Sequence, residues 1–575
     1  MPPASIFVLA AALAVGVADP PATPLPGFRP GPWFGEQVRE EWVAEGVRVV
    51  ASAPGRLDPA KPTRLVVYAT PNGNTIEQTL GCGRAPGLDW HYDIQHVAAQ
   101  VRRLREVSPG ENIVLACVEA DGLSWPAWKR KYQDGPARVG KVVEALRGWV
   151  PGGAARVALA GHSGGGSFLF GVLDGADAVP SWVDRVVFLD ANYSYADADR
   201  HDDKLLAWLG GDRGRRLVVV AYDDREIVLN GKRVVGPTGG TFRATERMRE
   251  RFAKDVTFTE SAAGGIVTRT ALDGRLALLV HTNPENRILH TALVGEMNGL
   301  LRGLAAPDAR PTWGAFGGPR AYAKWVQPAP GIPARPADAP GGTAFFRTLE
   351  KLTPAAREEA IARELLRGNL PEFLRTFQKV TVTAKDAAGK AHTAVVEVMP
   401  DYLAVGDDSD FVRVPVTPRT AALVADAFGC ALPTRRLVDE VYRAAAVRLA
   451  PDPLTEAREM ATTFLRHNTL IEGRRAGRRL GDLVAGVKKD VVVTNRLAER
   501  PGRVAIYGWH TPDGKPIQPL STVHHEGYVD YSHGARLVRR TVVVDGTPRD
   551  VRHALYAAPW HGLLSDEGPV IRPTY

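Results

Sequence analysis

The sequence predicts an α/β protein: a mostly parallel sheet with helices on both faces, joined to a second, α+β domain. Three observations predict it. From about residue 35 to 305, strand-like apolar runs alternate with amphipathic helical patterns, the signature of a parallel sheet covered on both sides. Residues 306–342 then lose all apolar periodicity and fill with Pro, Ala and Gly, ending PAPGIPARPADAPGG. After Gly342 the chain becomes helix-rich, with fewer and scattered strands. The 575 residues have room for three or four domains of about 150 residues each. At 45% hydrophobic and 24% charged residues the chain is globular, neither fibrous nor globally disordered.

The elements follow in order. Residues 6–18 (IFVLAAALAVGVA) are an apolar run too short to span a bilayer comfortably, and Gly16-Val17-Ala18 suits a cleavage site. Residues 1–18 are therefore expected to be a signal peptide and the protein to be secreted or periplasmic, with no transmembrane span. A Pro-rich segment, 19–44, precedes the α/β domain at 45–305. Its strands are expected at 47–53, 64–69, 112–118, 156–160, 185–190, 216–222 and 275–280. In 136–150, Val139, Val142, Val143 and Leu146 recur at helical spacing, and 93–107 behaves likewise with an exposed basic side. Residues 306–342 read as a linker, but Trp313, Phe316, Tyr322 and Trp325 predict that its first part packs back on a domain. In the C-terminal domain, 343–575, helices are expected at 354–367, 418–428, 433–446 and 454–467. Strands are expected at 379–384, 393–399, 490–494, 503–507 and 536–544.

Charge is unevenly spread. The total is 72 − 64 = +8. The first 300 residues hold 34 basic and 34 acidic side chains, so the whole excess lies beyond them. Arg474, Arg475, Arg478, Arg479, Lys488 and Lys489 supply much of it. They are expected to be solvated, or to meet an anionic envelope surface. No nucleic-acid-binding motif accompanies the basic balance, so no nucleic-acid partner is expected. Three cysteines exclude a disulfide-dense scaffold. Cys82 lies in a loop where it has the option of pairing, whereas Cys117 sits in an apolar strand as a buried small hydrophobe.

The sharpest signal is Arg156-Val-Ala-Leu-Ala-Gly161-His162-Ser163-Gly164-Gly165-Gly166, a short apolar strand running into G-x-S-x-G and then an apolar helix. Small residues let the backbone turn tightly and project the Ser163 hydroxyl, while the following N–H groups open a helix that favours a developing oxyanion. These residues resemble the secreted α/β-hydrolase superfamily, the esterases and lipases with a Ser-His-acid triad, over about residues 45–305.

The resemblance implies the order Ser, acid, His. Asp190 ends the strand after the Ser163 helix, and Asp224 or Asp223 ends the next one; Asp190 is the favoured acid and Asp224 the alternative. For the base, His290 stands where a loop meets a helix expected at 291–304, and His281 is the second candidate. Gly164 and the loop after strand 64–69, with Asn72, Gly73 and Asn74, are the candidate oxyanion donors, although the family's His-Gly run is missing there. Asn74 is equally suited to cap the next helix. The resemblance implies acyl transfer from an ester, small or polymeric, with no metal and no cofactor.

In the C-terminal domain His510, His524, Asp530, Ser532 and His533 fall within two dozen residues. They are candidates for a second site, nucleophilic through Ser532 or Cys430, or, from His510, His524, Asp530 and His533, metal-binding. The favoured function is an exported serine esterase with an accessory or second catalytic domain. The alternatives are a glycan- or envelope-binding protein with a degenerate hydrolase half, and a C-terminal peptidase or amidase.

Overall fold

A computed structural model describes residues 24–86, 88, 90–151, 156–306 and 310–575; the expected signal peptide lies outside them. Eleven strands build the large sheet: β1 (Arg29–Pro30), β2 (Glu36–Ala44), β3 (Val47–Pro54), β4 (Thr63–Ala69), β5 (Asn112–Ala120), β6 (Arg156–His162), β7 (Val183–Leu189), β8 (Arg216–Tyr222), β9 (Thr259–Ala263), β10 (Ile266–Ala271) and β11 (Leu276–His281). They lie in the order β1-β2-β3-β5-β4-β6-β7-β8-β11-β10-β9. The six from β5 to β11 pair in parallel, and the strands outside them are antiparallel. This is the α/β-hydrolase-like arrangement.

Both faces of the parallel strands are covered. Alternate residues Leu65, Val67 and Ala69 of β4 join one apolar cluster, with the helices Gly135–Arg147 and Gly166–Asp174. Val66 and Tyr68 join the opposite one, with Val97–Val107 and Gly299–Leu304. Strands buried on both sides read as unbroken apolar runs, which is why 156–160 and 216–222 were legible.

Four elements of the sheet escaped sequence reading. The strand β2, EQVREEWVA, is charge-rich because Glu36 and Glu40 enter buried ion pairs with Arg102 and Arg48. Residues 29–44 therefore belong to the sheet rather than to a separate Pro-rich segment. The short β1 and the pair β9–β10 likewise lack the apolar alternation that marks a strand. The helix expected at 291–304 is two, Ala292–Gly295 and Gly299–Leu304, interrupted at Asn298 with φ of 60°. In the 306–342 stretch, Trp313 and Tyr322 are buried against the Leu300 face, as their aromatic character predicted.

The C-terminal region holds a sheet around the hairpin Gln378–Lys385 and Ala391–Val398 and a four-stranded sheet that includes Lys489–Val491, Ile506–His510 and His533–Gly534. Its clusters centre on Phe346, Val412 and Ile506 and on Val396, Val542 and Leu555. A long helix runs Ala461–Arg475, not 454–467.

The two regions meet across buried charge. Arg552 bridges Glu40 and Asp426, Arg29 pairs with Asp426 at 2.6 Å, and Arg540 reaches Glu77 at 2.7 Å. Trp42 of β2 stacks on Tyr556, ring centroids 3.7 Å apart. The Trp42 N–H donates to the Ile571 carbonyl at 3.2 Å, and Arg572 pairs with Glu41.

Candidate active site

The site forms where β6, β7 and β8 end. After His162 the chain makes one tight turn, residues 163–165, and enters the helix Gly166–Asp174. Ser163 holds φ of 52°, a left-handed conformation that costs a non-glycine residue about 1–3 kcal/mol and must be imposed by its surroundings. The surroundings are tight. A Cβ on Gly161 would come within 2.9 Å of the Gly165 carbonyl and of Leu169, and one on Gly166 would overlap the Ala191 carbonyl. Glycine is required there by close approach, so the Gly-rich run is a packing device as well as a turn signal.

His290 follows the last strand and leaves its ring partly exposed. Its Nδ1 contacts Asp190 Oδ2. Asp190 sits directly after β7 with φ of 48°, is 1% exposed, and receives the Thr241 hydroxyl on Oδ1. Both carboxylate oxygens are thereby directed. No hydrogen bond joins Ser163 Oγ to His290 among the described residues.

His162 was missed by sequence reading, being the variable position of G-x-S-x-G. Its Nε2 bonds the His290 carbonyl oxygen at 2.9 Å, and the two rings lie 4.4 Å apart. Burial first, then the neighbouring His290, hold the His162 imidazole well below its usual range. It is therefore neutral, and with a carbonyl as partner Nε2 carries the proton. His162 ties the serine turn to the backbone of the candidate base.

The alternative acids lie differently. Asp224 is 2% exposed, accepts the Thr241 N–H on Oδ2 at 2.9 Å, and has no partner on Oδ1. Burial, then the Asp190 charge, push its carboxyl up to about 6. Thr241 thus joins two carboxylates, by its hydroxyl to Asp190 and by its N–H to Asp224. Asp223 faces outward on Arg225 at 2.7 Å. His281 accepts the Asn283 N–H on Nδ1 at 3.0 Å and stays with its own loop.

Of the oxyanion candidates, Gly164 lies at the turn itself. Gly73 does not serve as expected, because its N–H donates to the Leu123 carbonyl at 2.9 Å. The Asn74 N–H is turned toward Pro71, and Thr75, not Asn74, caps the helix Ile76–Leu80 in a capping box with Gln78. Asn72 is the loop residue that reaches the turn: its side-chain amide lies where a Cβ on Gly164 would be.

The C-terminal candidates separate. His510 stands apart, with Nε2 on Asp439 at 2.9 Å and its ring stacked on Tyr442 at 4.5 Å. Asp530, Ser532 and His533 lie together, and His524 stacks on the adjacent Tyr528. Among the described residues no group of three or more His, Cys, Asp or Glu is placed to hold a metal ion. Cys430 is buried with its thiol pushed up to about 12 by burial, a poor nucleophile. None of the three cysteines is paired. Lys488 and Lys489, expected to be solvated, are 1% and 9% exposed. No helix among the described residues is long and apolar enough to cross a membrane.

No family model matches the sequence, and no curated protein matches it. Solved structures similar to this chain include a mutant feruloyl esterase module from Clostridium thermocellum complexed with sinapinate, at 11% identity over 47% of this chain and 89% of that one, with a TM-score of 0.28. A thermophilic esterase from the planctomycete Thermogutta terrifontis is similar at 11% identity, over 43% and 83%, with a TM-score of 0.24. An S-formylglutathione hydrolase from Agrobacterium tumefaciens shares 15% identity over 43% and 87%, with a TM-score of 0.24.

Proposed function

We propose that the N-terminal region is a serine hydrolase of carboxylic esters, exported by the apolar run at 6–18. The observation that carries this reading is the left-handed Ser163 at the end of a central parallel strand, beside a histidine held on a buried aspartate. In this reading Ser163 is the nucleophile, His290 the general base and Asp190 the acid of the triad.

Asp190, bonded to Nδ1, fixes the imidazole with Nε2 free to take the serine proton, and its charge stabilises the imidazolium that forms. Ser163 Oγ attacks the ester carbonyl, and the oxyanion meets the Gly164 N–H at the helix start and the Asn72 side-chain amide. His290 returns its proton to the leaving alcohol, and the acyl-enzyme is hydrolysed by water through the same base. The contact from Ser163 to His290 is one that tightens when substrate is bound. Asp224 is the alternative acid; Thr241 holds it beside Asp190, but no bond joins it to His290.

A fluorophosphonate probe is expected to label the wild-type protein and not Ser163→Ala, with hydrolysis of p-nitrophenyl acetate lost in parallel. A folded wild-type protein that neither reacts with the probe nor turns over the ester would overturn the reading.

A further inference from the structure

The C-terminal cluster around Asp530 has more hydrogen-bond donors than acceptors. Strand His533–Gly534 runs parallel to Lys489–Val491 with His533 opposite Lys489, and Ile506–His510 flanks it on the other side. Asp530 is the buried carboxylate of this group, and it is already saturated. Its Oδ1 accepts the Ser532 N–H at 2.9 Å and the Ser532 hydroxyl at 2.5 Å. Its Oδ2 accepts the Tyr528 hydroxyl at 2.9 Å and Arg458 at 2.5 Å. Four donors fill the lone-pair sites a carboxylate offers.

The remaining donors have no protein partner among the described residues. His533 is 1% exposed, and neither ring nitrogen has a partner, although any tautomer carries at least one N–H. Trp509, 5% exposed, has an unpartnered buried Nε1–H. Lys489 makes no ion pair among the described residues, and its ammonium lies 5.0 Å from the centroid of the Trp509 ring. Behind them Lys488 donates to the Tyr531 carbonyl and lies 3.2 Å from His467 Nδ1, which puts the His467 proton on a buried and unpartnered Nε2. Lys488, Lys489 and Arg458 thus surround Asp530, and the buried Asp401 that also faces Lys488 is held by Arg413. Asp452 is held by Arg474, and Glu459 is exposed.

We propose that Lys489, Trp509 and His533 form a binding site for an oxyanion, the carboxylate or phosphate group of a small ligand. An acceptor-only group with negative charge satisfies the ammonium, the indole and the imidazole together, and charge-assisted bonds of this kind are the strong ones. A cation would meet donors on every side, and a neutral hydroxyl would leave the lysine charge uncompensated. The site is separate from the proposed serine centre and does not depend on it.

The test is calorimetric titration of the full-length protein at low salt with sodium phosphate and, separately, sodium acetate. Wild type, Lys489→Met, Trp509→Phe and Ser163→Ala are compared, with thermal melts confirming that each is folded. Saturable binding of at least one anion is expected, weakened at least tenfold by each of the two cluster substitutions and unchanged by Ser163→Ala. Phosphate alone would assign a phosphate-bearing ligand, and acetate alone a carboxylate. Absence of saturable binding to wild type, or binding that no folded cluster variant weakens, would overturn the proposal; if Lys489→Met does not fold, Trp509→Phe decides it.

Discussion

Two buried carboxylates, Asp190 and Asp530, each stand at the centre of a polar cluster, and they are treated differently. Asp190 receives one hydroxyl and one imidazole, and the imidazole is partly exposed. Asp530 receives four donors from its own neighbourhood, Arg458 among them, and Lys489 beside it makes no ion pair among the described residues. The first arrangement fixes the orientation of a ring and, in the proposed reading, stabilises its protonated form. The second has no acceptor left and invites one from outside.

The comparison breaks first at the serine. Ser163→Ala is expected to lower kcat for ester hydrolysis by about 10⁴-fold or more without lowering the melting temperature, read by steady-state kinetics. Asp190→Asn should reduce kcat by roughly 10³–10⁴-fold, because an amide no longer fixes the tautomer or stabilises the imidazolium. An equal loss in Asp224→Asn would exchange the two acids.

The seam between the regions comes next. Arg552→Ala leaves Glu40 and Asp426 without one of their guanidinium partners in a buried place, and about 3–5 kcal/mol of stability should disappear in chemical denaturation. A second unfolding transition in that variant would show the two regions to be separable.

Asp224 gives a pH test. Its carboxyl is raised from 3.8 to about 6, chiefly by burial and then by the Asp190 charge. A folded pKa above the unfolded one means that the protonated form stabilises the fold. That contribution is full below about pH 4 and is lost as pH rises through 6. Asp224→Asn, neutral throughout, should match wild type near pH 4 and exceed it above pH 7 by on the order of 1–3 kcal/mol. The smallest effect is expected from Thr241→Val, which removes the hydroxyl from Asp190 Oδ1. A roughly tenfold fall in kcat with KM unchanged would identify Thr241 as a positioning residue.

Sequence reading reached the centre of the parallel sheet because its strands are buried on both faces and carry uninterrupted Val, Leu and Ala. It stopped at β2, where glutamates are internal only because arginines distant in sequence meet them. The same limit hid Lys488 and Lys489, since a basic pair in sequence carries no sign of the walls around it. Ser163, Asp190 and His290 were legible as candidates, in that order, because each follows a strand. His162, Thr241 and Asn72 were harder, because their placement depends on which loops approach one another. His510 was grouped with His533 by proximity in sequence, and the fold sends it to Asp439 instead.

The pairing of Glu41 and Trp42 with Arg572 and Ile571 has a consequence in time. Glu41 and Arg572 are 531 residues apart along the chain. At about 5–20 residues per second, a ribosome takes roughly half a minute to two minutes to make that length. Throughout this interval the outer part of β2 is a strand edge without its cover, open to pairing with another chain. A nascent molecule is therefore open to misassembly at this edge until Ile571 and Arg572 emerge, and slower elongation lengthens the hazard.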